Sequence, residues 1–229
     1  MKLMILWLIL AFTVQAAPAA DEAACRRLLA TEFTTKDKTG AFQRDAAQAF
    51  RQCVGEQFPV ATRVQAHLQY GRALEIDERK DEALRVYLDA IRLLEGDAGG
   101  GSRLLIDALD RAAALESRTG RGSAAVAHSE RALALRRETY GAASEEAAQG
   151  LIRLALVHIE QRAFPAAEPL IREAIDTARK ACGEECGTLA EALVAMSTWY
   201  GDQGDEVSAR HWFELSVEAQ PPARRSRRQ

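Results

Sequence analysis

Apolar residues recur every three or four positions along most of this chain, which is the spacing that places them on one face of an α-helix. The pattern is clearest in two neighbouring segments, residues 151–161 and 166–180, which read LIRLALVHIEQ and AAEPLIREAIDTARK. The alternation of apolar and polar residues that is typical of strands is not found in the sequence. The pattern therefore predicts an all-helical protein.

The helical pattern repeats with a period of 42 residues, and several columns of equivalent residues keep the same register. Small side chains in these columns allow two helices of a hairpin to approach closely, with larger ones in the gaps. Gly99, Gly141 and Gly183 follow the second helix of each unit, where glycine can cap a helix end. The columns are Ala83, Ala125, Ala167 and Ala209; Ala90, Ala132, Ala174 and Ser216; Gly71, Ala113, Ala155 and Ser197; and His67, Leu109, Leu151 and Leu193.

Four units between residues 59 and 220 are thus predicted to be helical hairpins, and they resemble tetratricopeptide repeats. The third unit places Ala155, Ala167, Ile171 and Ala174 at the four most characteristic positions of that family. The period of 42 rather than 34 resembles the long-loop repeats of kinesin light chains. The resemblance implies a right-handed superhelix whose first helices line a concave face that binds extended peptides or helices. HEAT-like repeats are the alternative fold.

Upstream of the repeats, residues 17–58 contain two further amphipathic segments that do not follow the columns. They are expected to form a helical hairpin that caps the array, since terminal units of a solenoid are usually atypical. Residues 221–229, PPARRSRRQ, are interpreted as a disordered basic tail.

The first 16 residues have the features of a secretory signal peptide. Lys2 precedes an uncharged run from Leu3 to Val14, and small residues at Val14 and Ala16 suit cleavage after Ala16. The run is too short to span a bilayer, which needs roughly 20 residues, although an uncleaved anchor remains the alternative. The sequence therefore predicts a periplasmic or secreted protein with no stable membrane insertion.

The charge of the chain argues against nucleic acid as a partner. The formal net charge of −3 becomes −4 when Lys2 is removed with the leader, and −8 without the four tail arginines. A body this acidic repels a phosphate backbone.

Four cysteines, Cys25, Cys53, Cys182 and Cys186, remain in the mature chain. In an oxidising compartment an even number is expected to pair. Cys182 and Cys186 flank a predicted turn, so a local disulfide is the favoured interpretation, with a redox pair and a metal site as alternatives. A zinc site needs about four ligands, and no histidine is near in sequence. Cys25 and Cys53 are predicted to clamp the N-terminal hairpin.

The sequence contains no recognisable catalytic motif, and no catalytic residue, metal or cofactor is predicted. The run GDAGGGS lacks the lysine and the preceding strand of a phosphate-binding loop. The four histidines fall in different columns and do not form an HExxH motif.

The resemblance implies that certain positions on the first helix of each unit line the concave groove. Arg72, Arg111 and Arg153 could form a basic row that grips a carboxylate, or they could simply pair with Asp107, Asp110 or Glu191. Leu156, Ile152 and Val194 could form an apolar floor. The groove positions are Gln65, Leu68, Gln69 and Arg72; Asp107, Asp110 and Arg111; Gln149, Ile152, Arg153 and Leu156; and Glu191, Val194 and Thr198, of which Gln69, Arg72, Arg111, Gln149, Arg153, Leu156 and Val194 are the leading candidates.

Aromatic residues concentrate in the last unit, at Trp199, Tyr200, Trp212 and Phe213. Because no further repeat follows, exposed rings there would indicate a docking surface. Trp199 and Trp212 are the candidates for this surface, and Trp212 is the ring expected to be left over. The alternative is that the rings fill the core of their own hairpin.

The sequence therefore predicts a non-enzymatic interaction scaffold in the periplasm that binds a protein or peptide in its concave face. One alternative is a thiol–disulfide factor that uses Cys182 and Cys186. Another is an assembly subunit that forms a homo-oligomer through its C-terminal repeat.

Overall fold

The computed structural model describes residues 19–30, 40–96 and 102–221. Within these residues the chain forms ten α-helices and no strand, so the all-helical prediction is confirmed. The predicted signal peptide, most of the loop between the two N-terminal helices, Gly99 and the arginines of the predicted tail lie outside the described residues.

Consecutive helices pair into hairpins, and each helix packs against its neighbours along the chain. Among the first helices, α3, α5, α7 and α9 also contact one another in order, which places them side by side on one face. The helices are α1 (Ala19–Leu29) and α2 (Ala41–Cys53), followed by the repeat pairs α3 (Val60–Ile76) and α4 (Lys80–Glu95), α5 (Ser102–Arg118) and α6 (Gly122–Tyr140), α7 (Glu145–Glu160) and α8 (Phe164–Cys182), and α9 (Gly187–Gly201) and α10 (Glu206–Glu218).

The small columns are where the helices pack most tightly. Ala83, Ala125 and Ala167 have no exposed surface, nor have Ala90, Ala132 and Ala174. At Gly71 an added Cβ would clash with the ring of Tyr87, so the first helix of that unit can lie against α4 only without a side chain there. The residues that define the repeat in the sequence are thus the contact points of the hairpins.

Loops between units follow the predicted capping chemistry. Gly141 and Gly183 end α6 and α8 with φ angles of 92° and 82°, a conformation that favours glycine. Their amides donate to the carbonyls of Arg137 and Arg179. The hydroxyl of Ser144 accepts a hydrogen bond of 3.1 Å from the amide of Ala147 and so caps α7.

The N-terminal hairpin packs on α3 through a small cluster of its own. Cys25, Cys53 and Phe58 are buried there with Ala49 and Ala66. The Cα atoms of Cys25 and Cys53 are 5.8 Å apart and the two residues are joined in the structure as predicted; their oxidation in the cell remains a prediction. None of the helices in the described ranges is both long and apolar enough to cross a membrane.

Candidate functional site

A concavity of about 470 Å³ lies between α7 and α9, the first helices of the last two repeats. Both helices contribute residues at helical spacing, so one stripe of each faces the open space. The opposite faces of the same helices are in the core. The lining consists of Gln149, Ile152, Arg153 and Leu156 from α7; Gly187, Ala190, Glu191, Val194 and Ala195 from α9; and Gln220, which follows α10.

The floor of the concavity is apolar and open to solvent. Leu156 and Val194 are 37% and 40% exposed, which is unusual for large aliphatic residues in this chain. Gly187, Ala190 and Ala195 carry little or no side chain, and this leaves the room that the concavity occupies. An exposed apolar floor with small walls suits the burial of an apolar side chain from another molecule.

Polar groups at the rim are few. Gln149, Gln220 and Glu191 line the rim together with Arg153, whose side chain is 55% exposed. An adjoining depression of about 330 Å³ shares Gln149 and extends toward Glu145 and Glu146 at the start of α7. The rim can therefore offer hydrogen bonds to a backbone but presents little net charge beside the apolar floor.

Arg153 is held by an ion pair with a buried carboxylate. Its Nε lies 3.2 Å from Oδ2 of Asp110. The same carboxylate accepts two hydrogen bonds from the guanidinium of Arg136 on α6, one of them 3.0 Å long. Arg136 and Asp110 are only 7% and 9% exposed. This network of three side chains, from α5, α6 and α7, holds Arg153 at the edge of the concavity.

The other predicted groove residues do not join the concavity. Nε of Arg111 lies 3.0 Å from Oδ1 of Asp107, and its guanidinium lies 6.0 Å from the centre of the Tyr87 ring. Arg72 lies over the ring of Phe42 on α2 at 5.8 Å. The side-chain amide of Gln69 donates to the carbonyl of Leu29 at the end of α1.

The three arginines consequently do not form a free basic row. Each contacts a different partner, and the pairing of Arg111 with Asp107 and of Arg153 with Asp110 is the alternative that the sequence left open. Of the seven leading candidates, the structure brings together Gln149, Arg153, Leu156 and Val194.

Sequence reasoning missed Gln220 and the small residues of α9. Gln220 follows the last helix rather than lying on a first helix, so the positions carried over from the family could not point to it. Gly187, Ala190 and Ala195 leave room for the concavity because they are small. Whether a small residue leaves such room depends on the residues that pack around it.

The aromatic residues of the last unit are mostly packed inside it. Trp199 donates from Nε1 to the carbonyl of Phe164 over 2.9 Å, and Trp199 and Trp212 both pack against the core of the last two repeats. The exposed apolar residues of α10 are instead Val207, Phe213 and Val217. The sequence predicted that Trp212 would be the ring left exposed, but in the structure this ring is Phe213.

The loop between α8 and α9 brings Cys182 and Cys186 within 5.8 Å at their Cα atoms, where the structure joins them. Cys182 is the last residue of α8 and Cys186 is the N-cap of α9. A carboxylate oxygen of Glu145 lies within 4.8 Å of both sulfurs and accepts a hydrogen bond of 3.0 Å from Thr188. In a disulfide neither sulfur is the thiolate that binds a metal, so the geometry favours a link between two helix ends.

Residues 104–180, about a third of the chain, match the model of the tetratricopeptide repeat. Together with the ten-helix array, this confirms the prediction of tetratricopeptide repeats and gives the chain the fold of a tetratricopeptide-repeat solenoid. Among curated proteins, none matches this chain closely enough to count as a relative.

Solved structures share the fold at low sequence identity. BtubC (BKLC) from P. vanneervenii is 21% identical, with 89% of this chain and 80% of that chain aligned and a TM-score of 0.63. A putative kinesin light chain with nearly identical TPR-like repeats from Podosopora anserina is 14% identical over 92% and 96%, with a TM-score of 0.67. The apo form of RapI is 13% identical over 92% and 91%, with a TM-score of 0.54. These likenesses establish the fold, and the fold points to a protein-interaction scaffold.

Proposed function

We propose that the chain is a non-enzymatic scaffold, secreted into the periplasm, that binds an extended peptide segment of a partner protein in the concavity between α7 and α9. The observation that supports this most is the exposure of Leu156 and Val194 on the floor of a 470 Å³ concavity. Burial of an apolar surface is the main driving force of most association.

The lining indicates what kind of segment fits. An apolar side chain would occupy the floor, while Gln149 is able to donate to and accept from a peptide backbone. Arg153 is exposed at the edge, and its pairing with Asp110 reduces its attraction for a free carboxylate. The proposed ligand is therefore an extended segment with an apolar anchor rather than an acidic C-terminus.

A displayed library of random nonapeptides, selected on the purified protein, tests this proposal. Selected peptides should share an apolar residue and should bind Leu156→Glu or Val194→Glu at least about tenfold more weakly, since a charge on the floor removes the apolar contact. The matched control is Val207→Glu, which adds the same charge to an exposed aliphatic residue outside the concavity. Equal binding by all three variants would place the ligand elsewhere.

A second candidate surface is the C-terminal unit, as an interaction or self-association surface. Its support is the exposure of Val207, Phe213 and Val217, at 83%, 47% and 38%. Sedimentation equilibrium at increasing concentration tests self-association, with Phe213→Glu as the variant expected to prevent it. A protein that stays monomeric at the highest concentration would count against this surface in self-association.

A further inference from the structure

The last helix of the array, α10, exposes an apolar face whose equivalents in the other repeats are buried. Phe213 is 47% exposed, whereas Tyr87, Ser129 and Ile171, which precede it in the same 42-residue column, are 0%, 4% and 0% exposed. Val217 is 38% exposed, and its equivalents Ile91, Leu133 and Ile175 are 5%, 5% and 7% exposed. The face is therefore a packing position of the repeat that no following helix covers within residues 19–30, 40–96 and 102–221.

The inner repeats show which element covers this face. In each case it is the first helix of the following unit, because α5 packs on α4, α7 on α6 and α9 on α8. At the contact between α6 and α7, Gly150 lies so close to Leu133 that an added Cβ would be 2.9 Å from its Cδ1. The same column on the other first helices holds Ala66, Ala108 and Ala192, all without exposed surface. The element that fits α10 is thus a helix with a small residue at this position.

Among the helices that the structure describes, α1 is the one first helix that has no helix before it to pack on. Although the N-terminal hairpin as a whole does not follow the columns, Ala24 lies 42 residues before Ala66 and is small like it, and in the structure it is only half-buried. Beside it on α1, Ala23, Arg26 and Arg27 are exposed. One end of the array therefore offers the uncovered face and the other end offers a helix of the kind that covers it.

The charges of the two ends are complementary in the orientation that the fold imposes. Consecutive helices joined by short loops run antiparallel, so the C-terminal end of a docked α1 would lie beside the N-terminal end of α10. Arg26, whose side chain is 74% exposed although it pairs with Glu22 at 2.6 Å, and Arg27 would then approach Asp202, the C-cap of α9, and Glu206, the first residue of α10, both of which are exposed.

The acidity of the C-terminal unit disfavours the simplest alternative, a two-fold pairing of α10 with itself. Residues 183–221 contain eight carboxylates and a single basic residue, Arg210, and the four arginines of the predicted tail, which lie outside the described residues, follow them. A two-fold interface would bring two such acidic surfaces together, and opposed like charges weaken association. An interface between unlike ends avoids this repulsion.

We propose that copies of this chain associate head to tail, with α1 of one copy packed on α10 of the next as α9 packs on α8. The inference rests on the C-terminal unit being an interaction surface, and it adds the identity and orientation of what covers it. A head-to-tail interface is heterologous, so each added copy leaves one free end of each kind, and the assembly grows with concentration as an open chain unless its rotation closes it into a ring.

Two variants with one blocked end each provide the test. Phe213→Glu blocks the α10 end, and the double variant Arg26→Glu with Arg27→Glu blocks the α1 end; both sets of side chains are exposed, and circular dichroism with thermal melting checks that each variant folds. Sedimentation velocity should show that the average mass of the unmodified protein rises with concentration. Each variant alone should associate at least about tenfold more weakly.

An equimolar mixture of the two variants should form a 1:1 dimer and nothing larger, because each then supplies the end that the other lacks. Arg51→Glu, which reverses an exposed charge on α2, is the matched control and should associate like the unmodified protein. If the α1 variant associates normally and only Phe213→Glu fails, the pairing is two-fold through α10, and head-to-tail association is overturned while the C-terminal surface stands. An unmodified protein that is monomeric at all concentrations overturns both head-to-tail association and self-association through the C-terminal surface.

Discussion

The second and third repeats have the same hairpin fold but different interiors. The second repeat, α5–α6, buries Glu116, Ser129 and Arg136. The third repeat, α7–α8, has His158, Ile171 and Ala178 at the same columns. The backbone is thus specified by the small columns that both share, while the remaining interior positions accept either apolar residues or a polar group with a partner.

In the second repeat every buried charge has such a partner. Asp110 pairs with Arg136 and Arg153, and Nδ1 of His128 lies 2.7 Å from the carboxylate of Glu116. Ion pairs of this kind contribute little net stability compared with apolar packing, but removal of one member leaves a buried charge without compensation. The two repeats should therefore tolerate substitution very differently.

The largest expected effect is that of Asp110→Ala. The change leaves Arg136 buried without its carboxylate, and the free energy of unfolding should fall by about 3–5 kcal/mol. Asp107→Ala is the matched control on the same helix, because its pair with Arg111 is 46% exposed on the carboxylate side and should contribute less than about 1 kcal/mol. Urea denaturation measures both, and equal losses would show that the buried network is not what stabilises this repeat.

The next effect concerns Glu116 and His128, whose equivalents in the first repeat are Leu74 and Val86. His128→Val alone leaves Glu116, 3% exposed, without its partner and should destabilise the protein by about 2–3 kcal/mol. The double variant Glu116→Leu with His128→Val restores the apolar pair of the first repeat and should be close to the unmodified protein. A double-mutant cycle in urea measures the coupling, and additive losses would contradict it.

The fold of the array could be predicted from the sequence, whereas the partners of the buried charges could not. Helical spacing and the 42-residue columns were sufficient for the array, and the groove positions implied by the resemblance to tetratricopeptide repeats placed Gln149, Arg153, Leu156 and Val194 on one concave surface. They also placed Asp110 on the groove side of α5. Spacing identifies the helix face on which a residue lies, but not the partner that its side chain reaches, so the pair with Arg136 on a second helix was not predicted.

The loops that end the two repeats also differ. After the second repeat Ser144 caps α7, whereas after the third repeat the N-cap of α9 is Cys186, joined to Cys182. Replacing both cysteines by serine should lower the free energy of unfolding by about 2 kcal/mol, because the closed loop is short. Peptide binding in the concavity should be retained under native conditions.

The same double variant separates the scaffold from the redox alternative. A thiol–disulfide factor would lose its function completely with the two cysteines, even where the protein is fully folded. Ser144→Ala is the matched change at the other loop and should cost about 1 kcal/mol. Peptide affinity measured well below the unfolding transition decides between the two functions.

The smallest effect is found at the turn inside each hairpin, where the two repeats again differ. Gly120 in the second repeat and Arg162 in the third are equivalent and have φ angles of 78° and 57°. Glu78 and Gly204 continue the column with φ angles of 58° and 85°. Only half of these residues are glycine, so the sequence alone did not reveal that all four turns need a left-handed residue.

Substitution at this turn should have opposite signs in the two repeats. Arg162→Gly removes the steric cost of a side chain at positive φ and should stabilise the protein by about 0.5–1 kcal/mol. Gly120→Ala introduces that cost and should destabilise it by about 1 kcal/mol. No atom lies within 4 Å of a Cβ added at Gly120, so the loss of stability in Gly120→Ala would come from backbone strain alone. Thermal unfolding should show shifts of about 2–4 °C in opposite directions, and shifts of the same sign would mean that the turn is not under this constraint in both repeats.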